Sequence, residues 1–314
     1  LMALGPTILL FPGQGSQKPG MAKDLADAFP RAREMLQEVD DALGAPLSRI
    51  MFDGPADALT ATHNAQPALL AHGAIVWELV KERVGAVSAG AGHSLGEHTA
   101  YHAAGSTTLG GAVRIVRTRG ELMHEAGVAR PGAMAAILGE LSDSIADICL
   151  RASEAGEVVP ANYNSDAQVV VSGEIAGVER AMELAKQAGA KRAVRLPVAG
   201  AFHSPLMKPA ESGLRKAIES TEFSDPAFPV YSNVTAEPCT TAGVARDTLV
   251  RQLTAPVRWT DQVRNMAAAY PDAAWLELGP GNVLTSLVSR AVPGARATAC
   301  GTPADIDKLF ATLQ

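Results

Sequence analysis

The chain predicts an α/β fold: a large α/β-hydrolase-like core with a mainly parallel sheet, and a small inserted subdomain of ferredoxin-like order. Three observations carry this. Apolar strand-length runs alternate with helix-length amphipathic stretches over most of the sequence, which is the pattern of a parallel sheet covered on both faces. One such strand, Ala86 to Ala91, runs into Gly92-His93-Ser94-Leu95-Gly96 and out into a helical stretch from Leu95 to Ala104 that stops at Gly105; strand, sharp Gly-x-Ser-x-Gly turn and helix together form a nucleophile elbow. Between about 133 and 198 the order changes to β-α-β-β-α-β. The expected division is residues 3–130 and 199–314 for the large domain and 131–198 for the subdomain.

Taken in order, Pro6 to Phe11 is the first predicted strand. It ends in Phe11-Pro12-Gly13-Gln14-Gly15-Ser16-Gln17. This glycine-rich loop is not a nucleotide motif: the dinucleotide fingerprint needs Gly where Lys18 stands, and the P-loop needs Gly-Lys-Ser/Thr where Gly20-Met21-Ala22 stands. Helices are expected from Met21 to Leu43 and from Pro67 to Arg83, the second with Gln66-Pro67 as its start signal. After the elbow comes a helix from Leu109 to Glu125, closed by a break at Gly127 to Gly132. The inserted stretch reads as strand Ala133–Leu138, helix Ser142–Ala155, strands Val158–Tyr163 and Gln168–Ser172, helix Glu174–Ala188 and strand Arg192–Val198. The chain returns through Gly200-Ala201-Phe202-His203-Ser204 to helices at Pro209–Thr221, Arg246–Leu253, Trp259–Ala269 and Val283–Ala291, with strands at Pro229–Asn233 and Ala274–Leu278.

Composition narrows the function. Only 4% of the 314 residues are aromatic, so the core must be built from Ala, Val, Leu and Ile. The formal net charge of −6 argues against nucleic acid or an anionic membrane as partner. Cys149, Cys239 and Cys300 are scattered without C-x-x-C spacing, so neither a disulfide framework nor a thiolate metal site is expected. The early apolar run Ile8 to Phe11 is cut at Pro12 without a basic leader, and no stretch approaches membrane-span length. These features predict a cytoplasmic protein. No long apolar stripe or heptad run is present, which predicts a monomer.

A serine hydroxyl needs a general base to become a nucleophile. Of the seven histidines, His63, His72 and His124 fall in helical or polar stretches and read as surface residues. His98 and His102 share a helix face, but Glu97-His98-x-x-x-His102 is not His-Glu-x-x-His and lacks a third ligand, so no metal is expected. His93 adjoins Ser94 and is expected to point away as the elbow turns. His203 lies in a loop between glycine- and proline-marked breaks, where a side chain is readily presented to a cleft.

The motifs beginning Phe11-Pro12-Gly13, Gly92-His93-Ser94, Arg119-Gly120, Asn162-Tyr163-Asn164-Ser165, Ala201-Phe202-His203-Ser204, Ser232-Asn233-Val234 and Gly279-Pro280-Gly281 occur in that order. Together, over about Thr7 to Leu309, the chain resembles the malonyl-CoA:acyl-carrier-protein transacylases of fatty-acid synthesis and the related acyltransferase domains of polyketide synthases.

That resemblance implies that Ser94 is acylated, that His203 takes its proton, and that a backbone carbonyl at Gln252 orients His203 in place of a carboxylate. It implies an oxyanion hole from the amides of Gln14 and Leu95, a malonyl carboxylate on Arg119, and Asn162 and Asn164 in a subdomain loop facing the cleft. Gln66 joins the expected substrate-binding set. Phe202 is expected beside the malonyl C2, since in related acyltransferases Ala-Phe-His accompanies malonyl and a smaller residue before the histidine accompanies branched acyl groups. The implied reaction is ping-pong between malonyl-CoA and an acyl carrier protein, with no cofactor. An acidic carrier would need a local basic face, and Lys186, Lys191, Arg192 and Arg195 cluster late in the insert.

Three readings compete. A serine hydrolase of the α/β-hydrolase type predicts a catalytic acid between Ser94 and His203, with Asp143, Asp147 and Asp166 as the available residues. A non-catalytic scaffold leaves Ser94, His203 and Arg119 without a role. A stand-alone acyltransferase serving a polyketide assembly line differs only in its carrier.

Overall fold

The computed structural model describes residues 5–198 and 200–312. Ala199, at the predicted return from the insert, and the outermost residues of the predicted large domain (3–4 and 313–314) lie outside the described residues. The strands are β1 (Thr7–Phe11), β2 (Val87–Gly92), β3 (Gly132–Leu138), β4 (Val158–Ser165), β5 (Gln168–Glu174), β6 (Arg192–Arg195), β7 (Val230–Tyr231), β8 (Pro238–Cys239), β9 (Ala274–Leu278) and β10 (Ala297–Cys300).

Two sheets form. The larger has the order β10-β9-β1-β2-β7-β8, parallel throughout except for the β7–β8 pair. Both of its faces are covered, as a parallel sheet requires, because successive side chains leave a strand on opposite sides. Leu9 and Phe11 of β1 join one apolar cluster, with Leu70, Ala74 and Val116. Ile8 and Leu10 join another, with Trp259, Val263 and Leu284. The smaller sheet, β4-β5-β3-β6, is antiparallel. Ala133, Ala135 and Ile137 of β3 pack on helices Ile145–Ala152 and Ile175–Gln187. Met134 and Ala136 face the other way and line the cleft between the sheets.

The two sheets are stitched together near the cleft. Tyr163 N–H donates to the Val257 carbonyl at 2.9 Å, and Val257 N–H donates to the Ala161 carbonyl at 2.8 Å. An Arg264–Asp166 ion pair spans the same seam at 2.7 Å.

Several elements differ from the sequence reading. The helix expected over Met21–Leu43 is two, Lys23–Ala28 and Pro30–Leu43, because Pro30 restarts the chain at the first position of a new helix. The helix expected from Pro67 begins at Thr62, with Pro67 inside it. A proline there forgoes only the bond to the His63 carbonyl, and burial of Asn64 through Val76 outweighs that loss. The helix expected over Leu109–Glu125 runs on to Ala129, through the expected break at Gly127, which is buried. Short helices at Leu47–Asp53, Ala56–Thr60 and Pro303–Ala311, and strands β8 and β10, carried no sequence signal used above. His72 is not a surface residue: it is buried, with Nε2 2.8 Å from the Gly301 carbonyl oxygen.

Candidate active site

Ser94 stands just past β2, separated from it by His93, at the carboxyl edge of the large sheet, where ligands of parallel α/β sheets bind. Its backbone has φ 52° and ψ −109°, a region costly for any residue with a Cβ. The neighbouring glycines make the turn possible. A Cβ on Gly92 would overlap the carbonyl of Gly96, and one on Gly96 would overlap the carbonyl of Phe11. Helix Leu95–Ala103 begins one residue after the hydroxyl, so its free amides face the same space.

His203 comes from the loop that follows the inserted stretch and also has a left-handed backbone, φ 58°. The turn is held by Ser204, whose hydroxyl donates to the Ala201 carbonyl at 2.6 Å. The Ser94 Oγ lies 2.8 Å from His203 Nε2, and His203 Nδ1 lies 2.8 Å from the Gln252 carbonyl oxygen. A carbonyl can only accept, so Nδ1 carries the hydrogen and Nε2 is left to accept from the serine. Gln252 caps the C-terminus of helix Ala242–Arg251, where carbonyls have no partner within the helix. Burial, then the nearby Arg119 charge, pushes the imidazole down to about 3, so it is neutral.

Arg119, on helix Leu109–Ala129, is 1% exposed. Its Nη1 donates to Gln66 Oε1 at 2.7 Å, and its Nη2 donates to Gln252 Oε1 at 2.9 Å and to Ser94 Oγ at 3.0 Å. Its Nε has no partner. Burial lowers its pKa to about 10, which leaves it charged at neutral pH. A buried guanidinium with no directly bonded carboxylate is a receptor for an anion.

A cleft of about 500 Å³ joins these groups. Gln14, Leu95, Asn162, Asn164 and Phe202 line it together with Ser94, Arg119 and His203. Gln66 lies beneath the cleft and touches Arg119. Asn162 and Asn164 are on strand β4, not in a loop. His93 does not turn away. It lines the cleft, with Nε2 2.8 Å from Asn164 Oδ1, and its ring lies against Trp259. The acids of a hydrolase triad are elsewhere: Asp143 pairs with Arg151, Asp147 caps with Ser144, and Asp166 pairs with Arg264. Among the described residues no cluster of His, Cys, Asp or Glu is arranged to hold a metal. Lys186, Lys191, Arg192 and Arg195 are exposed beside the β6 edge, with Arg195 loosely paired to Glu179 at 3.6 Å.

Sequence reasoning missed a buried layer behind the serine. Asn233 Oδ1 accepts from the Ser94 amide at 2.7 Å, and its Nδ2 donates to the Gly92 carbonyl at 2.8 Å and to Gln262 Oε1 at 3.1 Å. Glu97, fully buried, accepts from the Asn233 amide and from the Gln252 side chain. The only signal was polarity: a carboxylate one turn past the elbow serine, and an asparagine within Ser232-Asn233-Val234.

A serine on an elbow, an imidazole 2.8 Å from its hydroxyl and a buried guanidinium beside them, set in a mixed α/β fold, mark an acyltransferase. Comparison with known proteins agrees. Residues 8–305 match the acyl transferase domain family. The chain is 42% identical over 306 residues to the malonyl CoA-acyl carrier protein transacylase of Bacillus subtilis, covering 97% of this chain and 96% of that one. The solved acyl carrier protein S-malonyltransferase of Vibrio cholerae superimposes with a TM-score of 0.92 at 40% identity, over 97% of this chain and all of that one. A malonyl-transacylase solved in complex with its type II PKS acyl-carrier protein superimposes with a TM-score of 0.93 at 41% identity, covering 98% of this chain and 100% of that one. The chain belongs to the malonyl-CoA:acyl-carrier-protein transacylase family.

Proposed function

We propose that the protein moves the malonyl group of malonyl-CoA to the phosphopantetheine thiol of an acyl carrier protein, through a malonyl ester on Ser94. The observation that carries this is the position of Arg119: one guanidinium nitrogen lies 3.0 Å from a hydroxyl that is itself 2.8 Å from His203. A malonyl thioester has a carboxylate two carbons from its reacting carbonyl. An acid held on Arg119 therefore brings that carbonyl to Ser94, as productive orientation requires.

His203 Nε2 takes the serine proton as Oγ attacks the thioester carbon. The oxyanion is met by the amides of Gln14 and Leu95. The C–S bond breaks, the proton passes to the departing CoA thiolate, and malonyl-Ser94 remains. The carrier thiol then gives its proton to His203 and attacks the ester, Ser94 is reprotonated, and the new thioester leaves. A carbonyl in place of an aspartate makes His203 a mild base, which suits exchange between acyl compounds of similar energy.

The strand order β4-β5-β3-β6, with its two helices on one face, supports reading residues 131–198 as a ferredoxin-like subdomain inserted in an α/β-hydrolase-like domain made of 3–130 and 199–314. The exposed cations at Lys186, Lys191, Arg192 and Arg195 support a docking face for an acidic carrier. Replacing Lys191 and Arg192 with glutamate is expected to raise KM for the carrier and leave acylation by malonyl-CoA unchanged. The absence of any helix long and apolar enough to cross a membrane, among the described residues, fits a cytoplasmic role.

A polyketide carrier is the second reading, favoured by the 41% identity to a transacylase seen with such a carrier. Mass spectrometry after mixing with malonyl-CoA tests the central reading: a malonyl adduct on Ser94 is expected, and turnover with Ser94 unmodified would overturn it. Transfer rates to carriers of both pathways separate the two partners.

A further inference from the structure

The buried layer behind the serine contains a carboxylate that the mechanism above does not use. Glu97 is on helix Leu95–Ala103, one turn past Ser94, and is fully buried. One of its oxygens, Oε2, accepts from two neighbours: the Asn233 amide at 3.0 Å and the Gln252 side-chain Nε2 at 2.6 Å. Each neighbour also holds reacting groups. Asn233 fixes the Ser94 amide and the Gly92 carbonyl on either side of the strained turn. Gln252 accepts from His203 with its backbone carbonyl and from Arg119 with its side-chain oxygen.

The orientation of the Gln252 amide follows from its surroundings. A guanidinium can only donate, so Oε1 faces Arg119 and Nε2 faces Glu97. The amide therefore stands between a buried cation and a buried carboxylate, its dipole aligned with both, as a relayed ion pair. The other carboxylate oxygen, Oε1, is buried without any partner. A proton there disturbs no hydrogen bond in the cluster.

We propose that Glu97 is a positioning residue that acts through Gln252 and Asn233, and that its negative charge, relayed by the Gln252 amide, competes with the substrate carboxylate for Arg119. This rests on the malonyl-transfer reading above. When a second carboxylate reaches Arg119, two like charges share one cation, and the buried one gains a proton. Binding of a malonyl thioester is thus coupled to proton uptake at Glu97, whereas an acetyl thioester, which has no carboxylate, is not.

The other ionisable groups around Glu97 do not titrate in the same range. Arg119, from helix Leu109–Ala129, stays charged. His203, from the loop opposite, is neutral above about 3. On its own helix, burial holds His98 well below the usual imidazole range and Tyr101 well above the usual phenol range. His93, before the elbow, is also lowered by burial. Desolvation raises Glu97 itself to about 7. The ionised form grows as pH rises, and it opposes the incoming carboxylate.

The test uses malonyl and acetyl thioesters of N-acetylcysteamine, which carry no phosphate titrating in this range. The full-length enzyme is acylated by each between pH 5.5 and 9. For the malonyl compound kcat/KM is expected to fall roughly fivefold or more across pH 7, a typical coupling between two sites; for the acetyl compound it is expected to stay level. Glu97→Gln, which keeps one acceptor oxygen and loses the charge, is expected to flatten the malonyl profile. Parallel malonyl and acetyl profiles in the unaltered enzyme, or a Glu97→Gln profile that still falls, would overturn the proposal. Acylation by neither thioester would instead overturn the malonyl-transfer reading on which it rests.

Discussion

The Nη2 of Arg119 and the Oγ of Ser94 are 3.0 Å apart, so the group proposed to receive an acid and the group proposed to attack a carbonyl are in direct contact. The guanidinium donates to the hydroxyl. On the malonyl-transfer reading proposed above, a malonyl carboxylate would replace that contact and leave the hydroxyl to His203 alone.

Selectivity for a dicarboxylic acyl group should therefore reside in Arg119. Arg119→Lys keeps the charge and loses the planar fork. We expect kcat/KM for malonyl-CoA to fall about tenfold to a hundredfold, the worth of a charge-assisted bidentate pair. Acylation by acetyl-CoA should fall much less. Steady-state rates with the two thioesters check this; equal losses would mean that Arg119 serves the fold or the chemistry in general.

The backbone of Ser94 stores strain, which can be weighed separately from its hydroxyl. Ser94→Ala and Ser94→Gly both lose the hydroxyl, but only glycine accepts φ 52° and ψ −109° without cost. Urea unfolding should find Ser94→Gly more stable than Ser94→Ala by about 1 kcal/mol, the lower end of the usual cost of such a backbone. Equal stability would show that the turn is relaxed.

His203 predicts a pH effect whose sign can be worked out. Burial holds the folded imidazole at about 3, against 6.5 for the ordinary group. Between those values the unfolded chain binds a proton that the folded one does not. This residue therefore contributes stability above about pH 6.5, and that contribution is lost as pH falls toward 3. Replacing it with Gln should reduce the loss of unfolding free energy between pH 6.5 and 4. Acid sensitivity unchanged by His203→Gln would contradict the depressed value.

Phe202 lines the cleft beside His203. On the proposed reading, a methyl added to the malonyl C2 would have to share space with its ring. We expect at least a tenfold preference for malonyl-CoA over methylmalonyl-CoA, from the roughly 1–3 kcal/mol that one methyl is worth in a closed pocket. Phe202→Ala should narrow the ratio. Similar kcat/KM values for the two thioesters in the unaltered enzyme would remove Phe202 as the selecting residue.

Much of the architecture was legible because periodicity and glycine spacing are local properties. Ile8 to Phe11, Trp259–Ala269 and the elbow around Ser94 each announce themselves within a few residues. The helix containing Pro67 did not, since whether one missing hydrogen bond is tolerated depends on how much surface the rest of the helix buries. The resemblance places Asn162 and Asn164 in a loop, whereas the local pattern of Val158–Tyr163 already holds Asn162 in a strand; pairing with Val257 and with β5 carries that strand on to Ser165 and takes in Asn164.

The sequence by itself determined that Ser94 sits on a sharp turn after a buried strand and that a chain of this texture folds as mixed α/β. The ordered motifs, by resemblance, pointed to Ser94, His203 and Arg119 as one set. Only the tertiary structure decided what surrounds that set: Glu97 beneath Gln252, Asn233 against the Ser94 amide, and His93 turned toward Asn164. The physical reason is that a buried polar group takes its partners from whichever segments the fold brings within hydrogen-bond range. Residues 94 and 97 share one helix start, but residues 119, 203, 233 and 252 are separated from them and from one another by distances along the chain over which no local pattern carries information.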